Sequence, residues 1–268
     1  MTADRTLAPF GRRRALVVSA RSVGAYVLVE VADRGGPDPD PGQFYMLATQ
    51  SGWGAGEDER PFLPRAISAM GGRGGTLWFL LEATGPGTAR LARVAKGEAL
   101  WLTGPLGAGF AAPTEGRRPV LVAGGIGLPP IVAWSRALAE RGMGQTLLAG
   151  FRDLRHAEIA ASLQGVRVAT DDGSAGHHGY VTELLAAELH RDPHAEVYAC
   201  GPPGMLEAVR ALVVARGVPG RLALESGMAC GYGACFGCVA PLADGGYVRV
   251  CVDGPVLEAA SLARVPAH

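Results

Sequence analysis

Pro119-Val120-Leu121-Val122-Ala123-Gly124-Gly125-Ile126-Gly127-Leu128-Pro129-Pro130 opens as a short apolar run and closes in glycine and proline. Pro119–Ala123 reads as a buried strand. Glycines after a strand let the backbone approach a ligand closely, and a proline suits the first turn of a helix. A helix N-terminus in that position offers free N–H groups and the positive end of a dipole, which suits a pyrophosphate. The spacing is not G-x-G-x-x-G, so the ordinary dinucleotide fingerprint is absent.

Downstream, strands and helices alternate. Strands are expected near Thr146–Gly150, Arg167–Thr170, Val197–Cys200 and Arg221–Leu224, with helices near Pro129–Arg141, Val181–Leu189 and Pro203–Ala215. That alternation implies a parallel sheet with helices on both faces. Tyr198-Ala199-Cys200-Gly201-Pro202-Pro203-Gly204-Met205 is a second strand-to-helix turn, and strand C-termini are where open α/β sheets bind ligands. Cys200 reads either as part of that turn or as a small buried thiol. Asp171-Asp172-Gly173-Ser174 reads as a turn after a strand, near the nucleotide.

Upstream, the first ~112 residues read as β structure. Short apolar runs at Ala15–Val18, Ala25–Val31, Gln43–Ala48, Ala66–Met70, Leu77–Leu81 and Leu100–Thr103 are separated by Gly/Pro/Asp clusters such as Gly35–Gly42. Regular short strands suggest a barrel or sandwich. Thr88–Val94 is the one helical stretch there, Ser51–Arg60 a surface loop, and Ala111–Arg118 a linker. The domains expected are 1–112, 113–224 and 225–268.

The last of these carries Cys230, Cys235, Cys238 and Cys251, four of five cysteines within 22 residues. Cys-x4-Cys-x2-Cys followed by a further Cys is the plant-type [2Fe–2S] pattern. Gly231, Gly233 and Gly237 would let the loop take φ > 0 around the inorganic sulfides. Structural zinc prefers paired C-x2-C units, of which only one is present. A disulfide set needs an oxidising compartment, and the N-terminus shows no apolar export core. A cytoplasmic protein is therefore expected. The last interval, twelve residues, is shorter than in plant-type ferredoxins, so a ferredoxin fold is not expected.

Composition narrows the classes. With 25 basic and 25 acidic residues the formal charge is zero, which disfavours a nucleic-acid partner. Arg12-Arg13-Arg14, the one basic run, reads as a solvated strand edge. No stretch approaches the ~20 apolar residues of a membrane span. The six histidines show no metal spacing, and His177-His178 reads as loop surface.

Arg65-Ala66-Ile67-Ser68 resembles the Arg-x-(Tyr/Ile)-Ser motif of ferredoxin reductase-like flavoproteins. Gly104-Pro105-Leu106-Gly107, the Gly124–Pro130 turn and Cys200-Gly201-Pro202…Met205 follow in the same order. The cysteine run with Val250–Val256 narrows the resemblance to the electron-transfer subunits of class 1B dihydroorotate dehydrogenase, over about Val17 to Leu257. The resemblance implies a β-barrel FAD domain, an α/β parallel-sheet NAD domain and a small C-terminal [2Fe–2S] segment bound by Cys230, Cys235, Cys238 and Cys251. It would put Arg65 on the FAD pyrophosphate, with Ala66 and Ile67 alongside and Ser68 near the flavin ring. Leu80, Leu81 and Glu82 would line the flavin, and Gly87 and Thr88 would meet phosphates, a helix start at Thr88 fitting that role. Gly124, Gly125, Gly127 and Pro129 would face NAD, with Cys200, Gly201, Pro202 and Met205 beside the nicotinamide.

There are two departures from the family pattern. Ala66 stands where the family usually has Pro. Glu82 stands where it usually has a basic residue, and a carboxylate cannot neutralise a phosphate, so only its backbone would serve.

The implied partner is an FMN-containing catalytic subunit that oxidises dihydroorotate in pyrimidine biosynthesis, two of each forming a heterotetramer. Electrons would pass through [2Fe–2S] and FAD to NAD⁺. The cofactors carry that chemistry, so no catalytic acid or base is expected. Arg152 or Arg155 would suit a 2′-phosphate, an acidic residue the ribose hydroxyl of NAD; the family uses NAD. Two other readings share these motifs: a flavin/iron–sulfur NAD(P)H reductase subunit of a hydrogenase- or transhydrogenase-type complex, and a non-enzymatic zinc-stabilised nucleotide-binding module.

Overall fold

The computed structural model describes residues 11–53 and 62–266. Most of the expected loop Ser51–Arg60 falls outside the described residues. Six antiparallel strands form a closed barrel: β1 (Arg12–Val23), β2 (Tyr26–Ala32), β3 (Phe44–Thr49), β4 (Arg65–Arg73), β5 (Thr76–Leu81) and β6 (Ala99–Leu106), in the order β1-β2-β5-β4-β3-β6. Alternation along β1 puts Ala15 and Val17 inside and Leu16 and Val18 outside, the period-2 pattern of a strand with one buried face. Val29, Val31, Leu47, Phe79, Leu81 and Leu102 complete the interior.

One residue of Arg12–Arg14 departs from the reading as a solvated edge. The run pairs with β6 alone, since pairing with β2 begins at Leu16, and Arg12 and Arg14 are exposed, but Arg13 is half-buried. Arg13 Nε and Nη2 donate to the two Asp33 carboxylate oxygens at 2.7 and 2.5 Å, and the Arg12 guanidinium sits 4.7 Å from the Trp101 ring centroid. A second correction concerns the barrel's helix. α1 spans Pro86–Leu91, not Thr88–Val94. Pro86, a helix-starting residue, sets its first turn. The Thr88 hydroxyl accepts from the N–H groups of Thr84 and Gly85 at 3.1 and 3.0 Å, tying the entry loop to the helix.

The second layer is a seven-stranded sheet. Its parallel strands are β7 (Arg118–Gly124), β8 (Thr146–Phe151), β9 (Val166–Thr170), β10 (His177–His178), β11 (Ala195–Cys200) and β12 (Gly220–Ala223). The order is β10-β9-β8-β7-β11-β12, so the chain winds outward from β7 in one direction and then returns to β11 on its other side. The helices are α2 (Leu128–Glu140), α3 (Leu154–Ala157), α4 (Val181–Arg191) and α5 (Pro203–Ala215). Strand β7 is apolar on both faces because each is covered. Val120 and Val122 pack with Leu185 of α4 and Val209 of α5. Leu121 and Ala123 pack with Ile131 and Trp134 of α2. That same core takes in Met70 and Leu80 of the barrel, so α2 is wedged between the sheet and the barrel.

The C-terminal segment has a two-stranded ribbon, β13 (Val239–Pro241) with β14 (Tyr247–Arg249), and then β15 (Val256–Glu258). β15 pairs antiparallel with β12, Leu257 opposite Leu222, and so forms the outer strand of the large sheet. Among the described residues no helix is long and apolar enough to cross a membrane.

Candidate functional site

The strand order reverses between β7 and β11, and both glycine-bearing turns leave those two strands at their C-terminal ends. Open α/β sheets bind ligands in the crevice this reversal creates. A cleft of about 510 Å³ lies there, lined by Gly124, Gly125, Ile126, Gly150, Pro202 and Met205, with Arg152 and Asp171 from the neighbouring strand ends. The three glycines of the first turn differ in what they do. A Cβ on Gly127 would stand 2.5 Å from the backbone of Cys200 and Gly201, and one on Gly124 would meet Met205 Sδ at 2.5 Å. Close packing of the two turns therefore excludes side chains there. Gly125 takes φ +49 and faces open space toward Tyr26.

Cys200 is buried beneath the crevice rather than on its lining. Burial pushes its thiol pKa well up, the state of an inert core cysteine. Of the two arginines considered for a 2′-phosphate, Arg152 lines the cleft, whereas the Arg155 carbonyl accepts from the Ala25 N–H of the barrel at 3.1 Å. The His177-His178 pair is exposed, as expected, but on strand β10 beside β9 rather than on a loop, with His177 Nε2 2.8 Å from Glu183 Oε2.

A second cleft, of about 230 Å³, lies between the barrel and the sheet. Ala66, Ile67 and Ser68 of β4, Leu80 and Leu81 of β5, Glu82, Thr88 and Pro129 all line it. Pro129, expected beside NAD, thus stands on the barrel side. Arg65 is set back. Its guanidinium packs on Gly87, where a Cβ would come within 2.4 Å of Nε, donates to the Leu63 carbonyl at 2.5 Å and lies over the Trp53 ring. Glu82 and Ile126 line both clefts, which therefore meet at these two residues.

The far wall of the barrel cleft is Leu224, Glu225, Ser226, Met228 and Pro255. These residues lead into and out of the cysteine loop, which itself lies on the barrel: a Cβ on Gly231 would meet Met46 of β3 at 2.6 Å. Gly231 and Gly233 take positive φ as expected, but Gly237 does not, and Phe236 takes φ +56 instead. The loop reverses one residue earlier than its glycines suggest, beside the Arg249 guanidinium 5.1 Å from the Phe236 ring.

Cys238 and Cys251 are buried, Cys230 is half-buried and Cys235 is exposed. Cys230 interacts with Cys235, and Cys251 interacts with Cys238 and also with Cys230. The Cys251 N–H donates to Cys238 Sγ at 3.4 Å. Burial opposes ionisation of Cys230, but the amides of Tyr232, Cys235 and Ala234 outweigh it and lower its pKa to about 7. Burial, with Cys238 alongside, raises Cys251 to about 12. Among the described residues no three Cys, His, Asp or Glu side chains gather as they would around one metal ion. Four mutually interacting thiols with backbone amides aimed at Cys230 suit a centre of two metal atoms, which takes four thiolates and hydrogen bonds to sulfur.

Sequence reasoning missed three residues at the junction of the clefts: Tyr26, Asp153 and His156. The available signal was Asp153 three residues before His156, just past a strand, which is an N-cap pattern. Asp153 Oδ1 accepts from the His156 N–H at 3.0 Å and lies 2.7 Å from its Nδ1.

Comparisons with known proteins agree with this arrangement. Residues 225–263 match the iron-sulfur cluster binding domain of dihydroorotate dehydrogenase B, and residues 121–211 match an oxidoreductase NAD-binding domain. The dihydroorotate dehydrogenase B (NAD(+)) electron transfer subunit of Geobacillus thermodenitrificans is 37% identical over 263 residues, covering 93% of this chain and 97% of that protein. That of Caldanaerobacter subterraneus is 32% identical over 254 residues, covering 92% and 97%. Among solved structures, the NADH-dependent reduced ferredoxin-NADP oxidoreductase superposes with a TM-score of 0.78 at 21% identity, covering 92% of this chain and 89% of that one. The ferredoxin reductase of carbazole 1,9a-dioxygenase superposes at 0.67 with 27% identity, over 78% and 66%. The junction of a barrel cleft, a nucleotide-type crevice and a four-cysteine loop, in a chain alike over nearly its whole length to these subunits, has one conclusion: it belongs to the family of dihydroorotate dehydrogenase B (NAD(+)) electron transfer subunits.

Proposed function

We propose that the chain takes electrons released by dihydroorotate oxidation in an FMN-bearing catalytic subunit and delivers them to NAD⁺, within a heterotetramer of two copies of each. The observation that carries this reading is the shared wall: Leu224–Ser226, Met228 and Pro255 belong at once to the barrel cleft and to the stem of the cysteine loop. When bound, a [2Fe–2S] cluster supplies single-electron transfer, FAD the change from one to two electrons, and NAD the two-electron acceptor.

Cys230 and Cys235, with Cys238 and Cys251, hold the cluster. Ala66–Ser68, Leu80–Glu82 and Thr88 form the FAD cleft, and Arg65, on Gly87, stands behind it near the phosphates. Gly124, Gly125, Pro202 and Met205 receive the dinucleotide, while Gly127, Gly201 and Cys200 supply the packed floor. Residues 1–112, 113–224 and 225–268 are the corresponding units.

Exposed aromatic side chains sit in the cysteine loop and on the ribbon after it: Tyr232, Phe236 and Tyr247 are 48%, 63% and 71% accessible. Aromatic anchors of this kind suit a docking face, and electron exchange demands that the partner's cofactor come close to Cys235. Purification of the co-expressed complex tests the reading. An FMN-containing dihydroorotate oxidase should co-purify, and the chain should show flavin bands near ~450 nm over broad iron–sulfur absorption. Recovery of a hydrogenase-type subunit without FMN would sink the assignment. Absence of both chromophores would sink any redox role.

A further inference from the structure

Glu82 follows β5 of the barrel, and its side chain is 18% accessible. With Ile126 it belongs to both clefts, so it stands where the flavin and nicotinamide ends must meet. Its carboxylate faces a histidine of the opposite domain. His156 Nε2, on α3, stands 3.5 Å from Glu82 Oε1. The other imidazole nitrogen lies 2.7 Å from Asp153 Oδ1, an arrangement in which a carboxylate orients a ring.

The barrel grips the same helix at two further points. The Ala25 N–H donates to the Arg155 carbonyl at 3.1 Å, and the Tyr26 ring meets the His156 ring edge-on at 5.7 Å. Glu82 is thus a partly buried carboxylate at a seam braced from both domains, not a loose surface charge. The other charged groups of the nucleotide cleft are Arg152 and Asp171.

We propose that Glu82, positioned by His156 and Asp153, makes the site prefer the oxidised dinucleotide to the reduced one. The inference rests on the functional reading above. The oxidised nicotinamide ring is a cation. Gain of a hydride, one proton with two electrons, makes it neutral while the rest of the dinucleotide keeps its charge. A carboxylate at the seam attracts the first form and is indifferent to the second. Substrate is held and product released, favouring flux toward NAD⁺ reduction.

Binding constants on the FAD-loaded complex test this without reference to turnover. Glu82→Gln, which keeps shape and removes charge, should weaken NAD⁺ about tenfold and leave NADH within about twofold, the size expected of a solvent-screened charge pair. Glu82→Asp should keep most of the preference. His156→Gln, which frees the carboxylate from across the seam, should lose part of it, and carries the test if the Glu82→Gln protein fails to retain flavin. Equal changes in both dinucleotides, no change in either, or Asp and Gln variants behaving alike would overturn the proposal. Failure of the unaltered complex to bind either dinucleotide would instead overturn the functional reading.

Discussion

The two glycine-rich regions, Gly124–Gly127 and Gly231–Gly237, use the same residue for opposite reasons. At the crevice, Gly124 and Gly127 are needed because two strand-to-helix turns press against each other, leaving no room for a Cβ. In the cysteine loop, Gly231 and Gly233 are needed because the backbone turns through positive φ. The crevice is a product of a finished core, with Val120, Val122, Leu121 and Ala123 buried on both sides of one strand. The loop has no regular structure of its own between residues 224 and 238, and is placed by its glycine turns and by contact with Met46 of β3. Packed secondary structure shapes one site, whereas backbone conformation shapes the other.

The strongest test of that contrast is removal of a thiolate. Cys238→Ser should abolish iron binding while the crevice still binds dinucleotide and the barrel still binds flavin. Iron content and absorption of the purified protein measure it, and loss of flavin together with iron would show the regions to be one cooperative unit.

Next comes the scaffold. Glu196 of β11 is wholly buried, yet its carboxylate accepts from the Thr114 N–H at 2.8 Å, the Tyr198 hydroxyl at 2.9 Å and Arg221 Nε at 3.2 Å. Glu196→Ala should cost about 2 kcal/mol: it leaves the Thr114 N–H without this acceptor and opens a buried gap, while Arg221 keeps Glu258 and the Tyr198 hydroxyl keeps the Ala111 carbonyl. Burial acts to raise the Glu196 pKa, but these hydrogen bonds outweigh it and hold it below the usual carboxylate range. Its folded pKa is lower than its unfolded one. The contribution is therefore present in full above the unfolded value of about 4.3 and is lost as pH falls through the folded value. Glu196→Gln should flatten that acid limb in denaturant titrations between neutral pH and pH ~3.

Gly127→Ala should cost about 2 kcal/mol by forcing the two turns apart, and should weaken dinucleotide binding with no effect on iron content. Thermal unfolding and calorimetry separate those outcomes. The smallest effect should be of opposite sign. Phe236→Gly relieves a left-handed residue and should stabilise the chain by about 1 kcal/mol. The same change should weaken association with the catalytic subunit, read by sedimentation. A neutral result in both would mean that Phe236 merely shields Arg249.

Much of this was legible beforehand. Apolar runs bounded by glycine and proline located the six barrel strands and the alternating half, because period-2 and strand-length patterns survive any tertiary arrangement. Apart from the start of α1, set locally by Pro86, the misreadings share one cause, contacts distant in sequence. Arg13 looked exposed until closure of the barrel brought Asp33 against it. Phe236, not Gly237, carries the positive φ beside Arg249. Leu257 pairs with Leu222 across the sheet, which no local pattern announces for three residues after a proline. His156 looked like one unassigned histidine among six until α3 met the β1–β2 turn.

The cysteine spacing by itself pointed to an iron–sulfur centre rather than paired zinc motifs, because the number and order of cysteines along a tight loop are covalent facts. The motif series determined the family. Which of those residues share a surface was decided by tertiary structure alone. Reversal of strand order between β7 and β11 brings Gly124 beside Gly201, and the wedge of α2 between sheet and barrel joins the two clefts at Glu82 and Ile126. Packing of distant apolar faces sets those juxtapositions, and a linear pattern carries the faces without the partners they will choose.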